Sequence, residues 1–232
     1  FNLFIPNLMG GTSNGGFAKD GDVAESLKPY HAAEIAAQIP AYWGPQPMTS
    51  GPVYIGAVMI FLFCMGIFLV KGSTRVWILS VSALALLLAW GKHFMPLTDL
   101  FIDYVPLYNK FRTVSMILVV LQLTLPLLGI LALQRIWSGE ATKQETTKAL
   151  RNALFITGGI ALFFLLLGGA IFDFSSPADT QYGLPDDVVA AMQNERLGLL
   201  RADAFRSLFF VLLTAGTVWL FVGGKIKRPL FI

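Results

Sequence analysis

The residues able to do chemistry in this chain are few, and most lie between long apolar runs. Lys110 and Arg112 follow a proline break in Pro106-Leu107-Tyr108-Asn109-Lys110-Phe111-Arg112, at the start of an apolar run. A guanidinium grips two phosphate oxygens at once and an ammonium adds a point charge, so the pair suits the phosphate of a membrane lipid. The plainer reading is that both cations snorkel toward bulk headgroups. Asp99 and Asp103 are four apart and share one helix face, where they would hold a divalent cation, position a sugar hydroxyl or simply meet solvent. Arg196, Arg201 and Arg206 recur at intervals of five and so spread around a helix. Arg201 with Asp203 is the more suggestive pair, against a default of a surface ion pair. His93, beside Lys92, is a candidate base with a simpler structural reading.

Signatures of soluble enzymes are missing from the sequence. It holds no phosphate-binding Walker loop, no His-x-x-x-His pair and no serine nucleophile elbow. Gly10, Gly11, Gly15 and Gly16 do not join a strand to a helix and read as loop glycines. The single cysteine, Cys64, lies in an apolar run, which excludes an intrachain disulfide and a thiol-based metal site. No metal and no cofactor is expected. The net charge of +3 comes from basic residues in short loops and gives no reason to invoke nucleic acid.

The elements that must position these residues follow from composition. Of 232 residues, 55% are hydrophobic and 13% charged, where a soluble domain carries about 25% charged residues. Five stretches lack any Asp, Glu, Lys, Arg or His: 51–70, 76–91, 114–134, 152–172 and 207–224. A crossing needs about 20 apolar residues, so four qualify by length, and the shorter 76–91 is kept as a span in thinned bilayer. The expectation is an all-α, polytopic bundle of about five spans: an extracytoplasmic region at 1–50, then a transmembrane domain at 51–232 with short interfacial helices in its outer loops.

Loop charge orients it. Lys71, Arg75, Arg135, Lys143, Lys148, Arg151, Lys225, Lys227 and Arg228 fall in three short loops on one side, and basic loops stay cytoplasmic. The N-terminus is therefore expected outside and the C-terminus inside, with outer segments at 1–50, 92–113 and 173–206.

Along the chain, 22–38 has a short helical pattern ended by Pro40. Tyr42 and Trp43 stand at headgroup depth before the first run. Leu97, Leu100, Phe101, Tyr104 and Val105 have the spacing of an interfacial helix. Pro126 should kink the third span unless neighbours compensate, and 185–206 should run as a helix into the last span. The chain opens on Phe1 and a polar stretch rather than a basic leader, and reads as an internal piece of a longer protein.

In Tyr42-Trp43-Gly44-Pro45-Gln46-Pro47 before a span, in the segment from Pro106 to Arg112, and from Glu195-Arg196 to Arg206-Ser207, the sequence resembles the YfhO family of bacterial membrane proteins, over most of its length. It would correspond to an internal or C-terminal-half fragment of a long member. The resemblance implies a type C glycosyltransferase-like fold in the bacterial cytoplasmic membrane. Such an enzyme takes a sugar from a polyprenyl-phosphate donor at the outer face and gives it to a cell-envelope acceptor. It also implies membrane lipid and the remaining part of the full-length chain as partners. Its catalytic acid would lie in an early outer loop that is not recognisable here, so the catalytic residue stays unassigned. Lys110 and Arg112 carry over as donor-phosphate contacts, with Asp99, Asp103 and Arg201 as further substrate-binding candidates. Two other classes remain open. A lipid or polysaccharide transporter or flippase would place charges within its spans, which this chain lacks; a non-catalytic membrane scaffold subunit would need no catalytic acid.

Overall fold

A computed structural model describes residues 2–45, 49–51, 53–110, 113–176, 179 and 183–225. Among the described residues helices make up the regular structure, and each satisfies its backbone polar groups within its own segment, as crossing a membrane would require. Among the described residues the β-structure amounts to an isolated bridge between Gly16 and Pro40. In chain order the helices are α1 (Asp22–Leu27), α2 (Ala57–Leu69), α3 (Ser73–Ala89), α4 (Met95–Tyr104), α5 (Val119–Ser138), α6 (Lys143–Ile171) and α7 (Asp186–Val222).

Three helical stretches are long and apolar enough to cross a membrane: Val114–Ser138, Lys143–Ile171 and Asp186–Val222. A fourth crossing is available if α3 and Gly91–Tyr104, bent by 108°, count as one broken span. The first apolar run is helical only over Ala57–Leu69, 13 residues, about 20 Å at 1.5 Å per residue and short of a full crossing. Gly51 and Gly56 have φ of 130° and 107°, a region that interrupts helix on the N-terminal side of α2. Pro126 lies inside α5, which runs through it. The 185–206 segment continues without a break into the last span as α7. The 22–38 pattern, in contrast, divides into α1 and two 3₁₀ turns around Pro29, with His31 left-handed at φ 55°.

The chain forms two compact units. The first comprises Phe1–Ala57 with Gly158–Leu212. Its core joins Phe17, Val23, Ala24, Leu27, Ala36, Ile39 and Ala41 to Val188 and Met192 of α7. Gly16 lies so close to the Ala37 carbonyl that a Cβ would overlap it. The amides of Phe17, Ala41 and Trp43 donate to the carbonyls of Ala36, Gly15 and Met9 at 3.0 to 3.1 Å. Gly10, against the Ala41 carbonyl, and Gly16 thus serve close backbone approach.

The second unit comprises Val58–Thr157 with Leu213–Ile232. Here α2 and α5 cross through glycines: a Cβ on Gly66 would stand 2.6 Å from the Leu128 carbonyl oxygen, and one on Gly129 would stand 2.9 Å from Leu62 Cβ. Small residues let helix backbones approach in lipid, where no hydrophobic force draws helices together. Ser82 of α3 donates to Thr124 of α5 at 2.8 Å in a buried setting. At the start of α6, the Glu145 amide donates to Thr142 Oγ1 and the Thr142 amide to Glu145 Oε2, a reciprocal capping box. Glu145 also pairs with Lys71 at 2.7 Å.

Candidate functional site

Two polar regions merit description, one in each unit. In the second unit, Gly91 turns the chain at φ 47°, and Thr98 Oγ1 donates to the Gly91 carbonyl at 2.9 Å. That bond ties α4 to the bend. Asp99 and Asp103 are exposed on α4, as the spacing predicts, and Lys110 is exposed in the following 3₁₀ turn, Tyr108–Lys110. Phe101 meets the Tyr108 ring edge-on, centroids 5.4 Å apart, which folds the turn back against α4. Between them Leu107 adopts φ 68° with 70% of its surface exposed. A bulky residue held left-handed is strained, and strain of this kind concentrates at ligand clamps. Tyr108 Oη is shielded from solvent and has no hydrogen-bond partner among the described residues. Arg112 lies outside the described residues. No group of acids, histidines and cysteines able to hold a metal occurs among the described residues.

The first unit centres on Arg196, the largest fully buried side chain. Its Nε donates to the Ala41 carbonyl at 3.0 Å. Nη1 donates to the Phe174 carbonyl at 2.8 Å and to Asp179 Oδ2 at 2.6 Å. Nη2 donates to the Pro40 carbonyl at 3.2 Å and to Asp179 Oδ1 at 2.9 Å. A guanidinium has five N–H donors, and all five are used. The Phe17 ring lies 5.7 Å from its central carbon.

The neighbours of Arg196 on α7 also grip the N-terminal region. Glu195 Oε2 accepts from the Val23 amide at 3.1 Å, supplying from a distance the cap that Gly21 cannot give α1. Asp203 Oδ2 accepts from the Asn7 amide at 2.8 Å, and Ser207 Oγ donates to the Phe4 carbonyl at 2.9 Å. Residues 192, 196, 203 and 207 recur at helical spacing and form one buried stripe.

Arg201 is exposed on another face of α7. The suggested Arg201–Asp203 pair does not form: Asp203 pairs with Arg206 at 2.8 Å instead. Residues two apart point to different sides of a helix, whereas three apart are neighbours. Arg196 is the functional-looking residue that spacing alone passes over. Its signal was a lone arginine on an apolar stripe between Met192 and Leu200.

Beside this cluster, Ser175, Ser176, Asp179, Gly183, Leu184, Asp186 and Val189 line an open cleft of about 480 Å³. Hydrogen bonds from the Ser175 side chain and amide hold the Asp173 carboxyl below its ordinary value. In the second unit, a cleft of about 530 Å³ is lined by Lys143, Gln144, Thr147, Lys148 and Arg151.

Comparison with protein-family models, with curated proteins and with solved structures gave no significant match. The fold defines an all-helical chain with three, or four, helices able to cross a membrane.

Proposed function

We propose that this chain is the membrane part of a glycosyltransferase of the bacterial cytoplasmic membrane, moving a sugar from a polyprenyl-phosphate donor to a cell-envelope acceptor at the outer face. In this reading the chain crosses about five times, N-terminus outside, with α2 and α3 spanning locally thinned bilayer and α4 at the outer face. The observation that carries it is the surface of α4 and its following turn. Exposed Leu100, Tyr104 and Leu107 stand among exposed Asp99, Asp103 and Lys110. Apolar side chains beside a cation suit a substrate that is hydrocarbon at one end and phosphate at the other.

Lys110 and Arg112 take the donor phosphate, and Asp99 or Asp103 orients the acceptor hydroxyl. The acceptor oxygen bonds to the anomeric carbon as that carbon's bond to the phosphate oxygen breaks. The electron pair leaves with polyprenyl phosphate, where the cations offset its charge, and the hydroxyl proton passes to a carboxylate. Inversion at the anomeric carbon is the expected outcome. Arg201 contributes as a further substrate contact.

The test is sugar transfer from a polyprenyl-phosphate donor by the full-length protein. Lys110→Ala and Arg112→Ala are expected to raise donor KM and lower kcat; unchanged donor affinity and turnover in both would remove the site assignment.

A second reading, a non-catalytic scaffold subunit, is favoured by the closure of the Arg196 cluster. The buried Arg196 guanidinium spends every donor on the chain's own atoms, as a structural tie does.

A further inference from the structure

The basic end of α6 carries an inference separate from the donor reading. Lys143, Lys148 and Arg151 line one cleft with Gln144 and Thr147. All five residues are exposed, while Thr146, Ala149 and Ala153 form the buried face of the same helix. None of the three cations has an ion-pair partner among the described residues, because the nearby acids are taken. Glu145 serves Lys71 and the Thr142 cap, and Glu140 serves Arg135. Three cations around one concavity with no acid to neutralise them attract an anion.

One helical turn further, the exposed face changes character abruptly. Phe155, four residues after Arg151, is 73% exposed, and Ile156 is exposed beside it. From 152 to 171 the helix has no charged residue. A free anion would have no use for that continuation, whereas a lipid with a phosphate head and an acyl tail matches both halves.

We propose that the Lys143–Ile156 face of α6 seats one anionic glycerophospholipid, its headgroup phosphate held by Lys143, Lys148 and Arg151 and its acyl chain laid along Phe155 and Ile156. Arg151 makes the two-pronged phosphate contact, and the two ammonium groups complete the charge.

The experiment uses the full chain purified in non-ionic detergent, titrated with phosphatidylglycerol, phosphatidylcholine or inorganic phosphate. Bound lipid is counted by native mass spectrometry, and the thermal midpoint is followed in parallel. One phosphatidylglycerol is expected to be retained and to raise the midpoint, with phosphatidylcholine and inorganic phosphate doing neither. Lys148→Ala/Arg151→Ala should weaken phosphatidylglycerol by about thirtyfold while keeping the lipid-free midpoint. Lys19→Ala/Lys92→Ala, which removes the same charge from exposed positions elsewhere, should leave binding unchanged. Equal weakening by both double variants would reduce the effect to general charge attraction and overturn the site. A midpoint rise with inorganic phosphate matching that with lipid would make it a free-anion site and overturn the lipid assignment.

Discussion

Arg196 and Asp179 meet fork to carboxylate, Nη1 to Oδ2 at 2.6 Å and Nη2 to Oδ1 at 2.9 Å, with side chains 0% and 6% exposed. The pair pins the segment after α6 to α7, and the remaining donors of Arg196 pin Pro40, Ala41 and Phe174 to the same point. Asp179→Ala leaves a buried cation uncompensated and should cost about 3–5 kcal/mol. Arg196→Met/Asp179→Leu, which removes both charges, should recover part of that loss. Thermal unfolding in detergent, with proteolysis of the 1–45 region as a local readout, measures both. A single variant as stable as the parent would show that the pair does not hold this unit together.

Ser82 and Thr124 form the buried hydroxyl contact between α3 and α5. Ser82→Ala should destabilise by about 0.5–1.5 kcal/mol, since Thr124 loses its partner, and Ser82→Ala/Thr124→Val should come close to neutral. A double-mutant cycle by denaturant unfolding in mixed micelles gives the coupling, and additive losses would exclude it.

Asp173 lies outside the long apolar helices, and the Ser175 amide donates to its Oδ1 at 3.3 Å. Its carboxyl is held below the ordinary value by the Ser175 hydrogen bonds. A depressed folded-state pKa means that the stabilisation is complete above the unfolded value and is lost as pH falls through the folded one. Protection of the Ser175 amide from hydrogen exchange, corrected for intrinsic rate, should therefore be constant near neutrality and decline in acid. Asp173→Asn should flatten that dependence.

The proposed orientation puts Lys110 outside and Lys148 inside. In a Cys64→Ala background, which removes the chain's one thiol, Lys110→Cys should react with a membrane-impermeant maleimide in intact cells. Lys148→Cys should react only after permeabilisation. The reverse pattern would invert the topology and move the α4 surface to the cytoplasmic face.

Much of the architecture could be read from the chain because lipid imposes local rules. Runs such as 152–172 and 207–224 announce helices by length alone, and all but their last one or two residues occur in longer ones, α6 and α7. The helix at α4 followed from its spacing, and Asp99 and Asp103 share its exposed surface. The 51–70 run shows the limit of that reasoning. Its apolar length covers a crossing, yet the helix begins only at Ala57, because hydropathy does not register the left-handed φ of Gly51 and Gly56.

The sequence by itself determined that this is a helical chain of long apolar stretches, with its ionisable groups outside them. Those properties depend on neighbours within a few turns, and a local pattern carries them. Only the tertiary structure decided which charges are bound and which are free. Arg196, Arg201 and Arg206 look alike as text, but one is buried among carbonyls 155 and 156 residues away, one stands exposed and one serves Asp203. A partner so distant in sequence is chosen by how the backbone folds back on α7, and no spacing rule encodes that choice.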